Sequence, residues 1–439
     1  MKHKICLLFT FYVIFGVSQA ADDCPNTDKF AEANPNFLSK DYLKYKKKNN
    51  NNFLPYIEEN SNLLDVGVYG EIFELFDPAY SVMKKVAMQR DKGKDFYMNE
   101  IKMLRYICKH EKERYSEVLP CNSNAIPEFK GCILENDTIY QFHDLMDWGF
   151  SKGDAINTYR KLPPQDRVRI MLDIIDRFIE LHNLKVIHSD IKPENIMLKS
   201  KNFSDIRIID FGFAGFAGKD YISGTQGYIA PEIVELNYKG LLSPKNDIFA
   251  LAMTFAELEG NFREKEVVMD GDIQRMGYKR ELSEKEIEIG LVRAFIVGKG
   301  LSVLLPVMIQ AAAYNKDLRY SSMIDLSNAI FEKFITLDGS EPFLIDLLEN
   351  ANNEGQERKF SGYWRKKAAI HFGLFQQQQE IQLVQQQQAQ PNNDQGGFSD
   401  WFARKVLCSC SKKKKKQNVQ NPMDQLNNNN PNAQNIIFI

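Results

Sequence analysis

The chain has 439 residues, of which 44% are apolar and 12% aromatic, enough for a core of ~270 residues with flanks on either side. No apolar run is long enough for an ordinary transmembrane helix, the longest being the N-terminal one. A formal charge of −2 says little about partners, and no nucleic acid is expected among them.

The chain opens on the basic Met1-Lys2-His3-Lys4, followed by an apolar run from Ile5 to Val17 broken only by Thr10 and Gly16. Ser18-Gln19-Ala20 then puts small residues at the positions a signal peptidase reads. Residues 1–20 are therefore expected to be a signal peptide cleaved after Ala20, with an uncleaved anchor or a buried first helix as the alternative. Removing Cys6 with it leaves Cys24, Cys108, Cys121, Cys132, Cys408 and Cys410, an even number compatible with an oxidising compartment. No connectivity follows, and Cys132 is equally a small buried residue or half of a disulfide. Residues 21–52, rich in Lys and Asn from Asp41 onward, read as a flexible lead-in to a fold that starts near Phe53.

Leu64-Asp65-Val66-Gly67-Val68-Tyr69-Gly70-Glu71-Ile72 contains two glycines whose missing Cβ lets a backbone come close to a ligand. Ser81-Val82-Met83-Lys84-Lys85-Val86 reads as a strand with two consecutive lysines. In Asn99-Glu100-Ile101-Lys102-Met103-Leu104, the apolar Ile101, Leu104 and Ile107 recur at helical spacing, so Glu100 can sit on an inner face or serve as a surface partner one turn away. Thr138 to Met146 is a further strand. Between Gln165 and Asn183, Val168, Met171, Ile174, Ile175, Phe178, Ile179 and Leu181 form a buried helical stripe. That helix leads into His188-Ser189-Asp190-Ile191-Lys192-Pro193-Glu194-Asn195, and Asp210-Phe211-Gly212 begins fifteen residues after Asn195. These spacings suit phosphotransfer. An Asp in a loop accepts the proton of an attacking hydroxyl, an Asn and a second Asp hold Mg²⁺ against the phosphates of ATP, and Lys192 meets developing charge. Gly224-Thr225-Gln226-Gly227-Tyr228-Ile229-Ala230-Pro231-Glu232, Asp247 to Ala252 and Lys316-Asp317-Leu318-Arg319-Tyr320 follow.

Together these segments resemble the eukaryotic protein kinases. The resemblance implies an α+β, two-lobed fold with a small β-rich lobe over about 53–146 and a larger helical lobe over about 147–345. It implies Asp190 as general base, Asn195 and Asp210 as Mg²⁺ ligands, Lys192 at the transferring phosphoryl group, and Lys84, paired with Glu100, on the α- and β-phosphates of ATP. Gly67 and Gly70 would cover the phosphates, Ile72, Val82 and Met197 would sandwich the purine, and the backbone of Asp144 and Met146 would meet its edge, with His143 as the gatekeeper. Glu232 is expected to pair with Arg319, and Asp247 to hold the backbone of the catalytic loop. The substrate implied is a protein, phosphorylated on serine or threonine.

Two positions depart from the family pattern. Asp65 stands where the first glycine of the loop belongs, and Ser189 replaces the arginine that clamps a phosphorylated activation loop. A hydroxyl cannot grip a phosphate as guanidinium does, so activity without activation-loop phosphorylation is expected. The alternative is a pseudokinase that binds nucleotide or partners without turnover.

Two glycosylation sequons, at Asn136 and Asn202, fall in expected strand turns. Met323 to Phe334 reads as the closing helix of the large lobe. Residues 346–439 form a Gln/Asn-rich tail in which Phe398 to Leu407 is amphipathic and is followed by Cys408, Cys410 and Lys412 to Lys416. The 398–416 stretch suits an anionic membrane surface or an acidic partner. Acylation belongs to the cytosolic side and the signal to the lumen; the secretory reading is preferred, with a cytosolic, membrane-associated protein as the alternative.

Overall fold

The computed structural model describes residues 53–335, apart from short gaps at 68–69, 77–80, 88–93, 116–122, 151–152, 204, 238, 261, 263–265, 271–272, 278–281 and 298–300. The chain divides into two units, Met1–Trp364 and Arg365–Ile439, and every described residue lies in the first. The signal, the lead-in and the 398–416 tail lie outside the described residues.

A seven-residue helix, α1 (Phe53–Glu59), precedes a five-stranded antiparallel sheet. Its strands are β1 (Ser61–Gly67), β2 (Gly70–Leu75), β3 (Ser81–Ala87), β4 (Phe129–Glu135) and β5 (Thr138–Asp144), in the order β1-β2-β3-β5-β4. The sequence has no periodic signal for α1, which is only two turns long and contains a proline. Packing makes it: Leu54, Tyr56 and Ile57 bury against Leu75, Met83, Ile133, Tyr140 and Phe142 on the outer face of the sheet. A 22-residue helix, α2 (Lys94–Tyr115), comes between β3 and β4, its Ile101, Leu104 and Ile107 fully or almost fully buried. The β4–β5 hairpin turns through Asn136 and Asp137, both at positive φ (50° and 56°) as a two-residue primed turn requires.

The larger lobe begins with β6 (Trp148–Gly149), α3 (Gly153–Lys161) and α4 (Pro164–Asn183). Most of the expected stripe of α4 is buried, but Ile179 is only partly so, and Asp176 and Arg177 are buried instead. After α4, the short strands β7 (Val186–Ile187), β8 (Ile196–Leu198), β9 (Ile206–Ile208) and β10 (Gly215–Phe216) frame the loops that carry the chemistry. β10 pairs with β7, and β8 lies between β6 and β9. Next come α5 (Pro231–Glu235) and α6 (Pro244–Glu259). Helix α6 is capped by Ser243, whose N–H donates to Asn246 Oδ1 at 2.7 Å, and its Ile248, Leu251, Ala252, Phe255 and Leu258 are buried, making it the post around which the lobe packs. A helix over Met323–Phe334 docks on α4.

Candidate active site

The loop after β7 is fixed from below. Asp247, near the start of α6 and fully buried, accepts from the N–H of His188 through Oδ2 and from that of Ser189 through Oδ1, both at 2.9 Å. The His182 ring lies 2.8 Å from the same Oδ2. These bonds hold Ser189 in the left-handed region (φ 68°), a conformation that a serine adopts only when its surroundings impose it. The Ser189 hydroxyl is buried with no hydrogen-bond partner among the described residues.

Asp190 follows at 1% exposure with a fully engaged carboxylate. Lys192 Nζ and Asn195 Nδ2 reach Oδ2 at 2.7 and 3.2 Å, and the N–H of Thr225 donates to Oδ1 at 2.7 Å. Burial alone would raise this carboxyl, but the Lys192 ammonium and the hydrogen bonds from Lys192 and Thr225 outweigh it and hold Asp190 below the usual range. Lys192 also donates to Thr225 Oγ1 at 2.8 Å. Asn195 turns its amide nitrogen to the Asp190 carbonyl, at 2.8 Å, so its amide oxygen is on the opposite branch.

Asp210 is half-buried, also left-handed (φ 67°), and its buried Oδ1 has no hydrogen-bond partner among the described residues. Burial raises its carboxyl above the normal range, with Lys84 opposing and Glu100 and Asp190 adding to the rise. An orphaned carboxylate oxygen is what a hard divalent cation neutralises, so Asp210 and Asn195 fit an Mg²⁺ ion by donor type.

On the small lobe, strand register decides between the two lysines. Lys84 points inward to Glu100 Oε2 at 2.7 Å, whereas Lys85 points outward to Glu58 at 2.6 Å. Burial works to lower the Lys84 ammonium, and the nearby Glu100 and Asp210 carboxylates raise it above its ordinary value. Ile72 pairs with Lys84, and on β5 Gln141 lies opposite Lys84 and His143 opposite Val82. With a side-chain period of two, Ile72, Val82, Lys84, Gln141 and His143 therefore share one face of the sheet. Burial and the Lys84 charge push His143 down to about 3, so its ring is neutral. Gly70 is demanded by β3: a Cβ there would stand 2.6 Å from the Lys85 carbonyl oxygen. Gly67 closes β1 opposite Gly70. Asp65 spends one oxygen on the N–H of its neighbour Val66, at 2.8 Å.

At the hinge, where β5 ends, the Asp144 N–H donates to Glu128 O at 3.1 Å and its carboxylate meets Lys130 at 2.8 Å, while Met146 is half-buried. Met197 sits in β8 opposite Gly149, where an added Cβ would meet the Met197 sulfur at 2.5 Å. Glu232 and Arg319 form a two-pronged pair at 2.9 and 2.8 Å, with the guanidinium over the Phe249 ring.

Three residues near these groups carry no motif signal. Gln141, fully buried, donates to Glu100 Oε2 at 3.3 Å. Leu64, half exposed at the irregularity between Leu63 and Asp65, stands beside Ile72's partner in β1. Asn99 donates to the carbonyls of Gly212 and Ala214. A polar residue within an apolar strand is the one hint that could have found Gln141; the Asn99 contact joins positions 113 and 115 residues apart and has no local trace.

Residues 60–285, just over half of the chain, match the protein kinase domain. The death-associated protein kinase dapk-1 of Caenorhabditis elegans is 45% identical over 86 residues, which is 18% of this chain and 6% of that protein. The cysteine-rich receptor-like protein kinase 46 of Arabidopsis thaliana is 29% identical over 247 residues, 52% of this chain and 36% of its own. A G-type lectin S-receptor-like serine/threonine-protein kinase of the same plant is 29% identical over 217 residues, 45% of this chain and 24% of its own. The chain thus spans about a third or less of the length of these relatives. Since the domain match runs from the first sheet strand through the Asp190 loop to the segment of Glu232 and beyond, the chain belongs to the protein kinase family.

Proposed function

We propose that the protein is an active serine/threonine kinase that transfers the γ-phosphoryl group of Mg·ATP to protein hydroxyls without first needing a phosphate on its activation segment. The observation that carries this reading is the state of Asp190: buried, held ionised by Lys192, and aimed by the Thr225 N–H, while Lys84 and Glu100 are already paired. A carboxylate kept charged is the proton acceptor the reaction needs. Lys84 would position the α- and β-phosphates, Asn195 and Asp210 would hold Mg²⁺, which supplies charge neutralisation between the phosphates, and Lys192 would steady the transferring group. Ile72, Val82 and Met197 would enclose the purine, with the hinge backbone of Asp144 and Met146 on its edge and Gly67 and Gly70 over the phosphates. The Lys192–Thr225 bond supports a serine or threonine acceptor, as does the similarity to the plant serine/threonine-protein kinase.

The disulfide-bonded state of Cys108 and Cys132 supports the secretory location expected from residues 1–20, since such bonds persist in oxidising compartments. The polybasic 412–416 run is then a linker or a contact for acidic partners.

The test is turnover. The purified full chain should phosphorylate a generic basic serine/threonine substrate with Mg·ATP, and Asp190→Asn should lower the rate about 10²–10⁴-fold. A wild-type protein that binds ATP but turns over no faster than Asp190→Asn is a pseudokinase.

A further inference from the structure

Helix α2 does more than present Glu100. The residue before it, Asn99, sends its amide nitrogen to the Gly212 carbonyl at 2.9 Å and to the Ala214 carbonyl at 2.7 Å. One turn earlier, the Phe96 ring lies against Gly212 so closely that a Cβ there has no room, and meets the Phe213 ring edge-on at 4.7 Å. The N-terminal half of α2 is thus fastened to the first turn of the activation segment, immediately after Asp210. Further along, that segment is tied by main-chain bonds from Ala217 N–H to Lys185 O at 2.9 Å and from Gly218 and Tyr221 N–H to Leu242 and Gly240 O at 2.8 Å, by the edge-on contact of the Phe216 and Tyr106 rings, and by the Lys192 bond to Thr225. Ser189, standing where an arginine would grip a phosphate, keeps its hydroxyl buried with no partner among the described residues.

We infer that Asn99 is a positioning residue: its two-pronged amide sets α2 and the Asp210 segment in register, so that Glu100 meets Lys84 and Asp210 faces them. This rests on the kinase reading proposed above. Both prongs need a donor. An amide supplies two N–H groups to two carbonyls; a carboxylate of the same shape supplies none and faces the carbonyls with like charge. A device of this kind governs how many molecules are in the working arrangement, so its loss lowers kcat and leaves the KM for the protein substrate nearly unchanged.

The experiment compares full-chain wild type, Asn99→Leu, Asn99→Asp and Asn99→Gln, with Asp190→Asn as the blank. Asn99→Leu and Asn99→Asp should each lose about tenfold or more in kcat, as expected for two hydrogen bonds of ordinary strength. Asn99→Gln, which keeps the donors on a longer arm, should recover part of the loss. Amide hydrogen exchange over residues 212–217 should quicken in the first two variants while their melting remains cooperative. Half or more of the wild-type kcat in Asn99→Asp, or a loss in Asn99→Gln equal to that in Asn99→Leu, overturns the inference. If wild type itself shows no turnover above the blank, the kinase reading fails and exchange alone decides: faster exchange in Asn99→Leu upholds the clamp, and unchanged exchange overturns it.

Discussion

Asp176 and Asp190 are two carboxyls almost fully buried in the same lobe, with opposite fates. Asp190 is kept ionised by Lys192 and Thr225, whereas both oxygens of Asp176 lack a hydrogen-bond partner among the described residues. Burial, then the neighbouring Asp173, drives Asp176 well above the usual carboxylate range, and Arg177 only partly offsets this. The folded state therefore keeps a proton that the unfolded chain releases near pH 4. Its contribution to stability is full below about pH 4 and is lost as pH rises from there through the raised folded value. Asp176→Asn should raise the melting temperature of the full chain, by more at pH 8 than at pH 5, with a gain at pH 8 of about 1–3 kcal/mol. Melting curves at the two pH values check this, and a lower melting temperature at pH 8 would count against a protonated Asp176. The sequence concealed this aspartate because it lies inside a stripe whose spacing only marks the buried side of α4. The choice of Lys84 over Lys85 as the inward lysine rests on the resemblance alone, and the pairing of β2, β3 and β5 gives its physical reason.

Among the elements, those with their own spacing signal are where the sequence put them: the lysine strand, the helix carrying Glu100, α4 and the closing helix over Met323–Phe334. The motifs around Asp190 and Asp210 were legible because their chemistry demands particular residue types at particular offsets. The two-residue strands β6, β7 and β10 were not legible, since each exists only through a partner far along the chain. Helix α1 and the link from Asn99 to the Asp210 segment were hidden for the same reason. The activation segment is the element whose behaviour matters most for regulation. Its bonds to Lys185, Gly240 and Leu242 are main-chain bonds, and no arginine stands at position 189 to read a phosphate. Phosphatase treatment of the wild-type enzyme should therefore leave its rate within about twofold, since no charge-assisted contact depends on the phosphate. A tenfold drop in the same assay would refute activity independent of phosphorylation.

For the molecule as a whole, location is the property that most changes its meaning. Asn136 and Asn202 are both exposed, Asn136 in the primed turn of the β4–β5 hairpin and Asn202 between β8 and β9, where a glycan meets no packed surface. A protein that passes through the lumen should begin at Ala21 and lose mass on endoglycosidase treatment. N-terminal sequencing and gel mobility check this; an intact Met1, no glycan and acyl chains on Cys408 or Cys410 would instead mark the cytosolic alternative.

Asp247 grips the catalytic loop by the main-chain N–H groups of His188 and Ser189, not by their side chains. The hook that holds the Asp190 loop thus uses no side-chain atom of residue 189. An arginine in place of Ser189 would keep both bonds, so that position can gain or lose a phosphate-gripping side chain without unhooking the loop that carries Asp190.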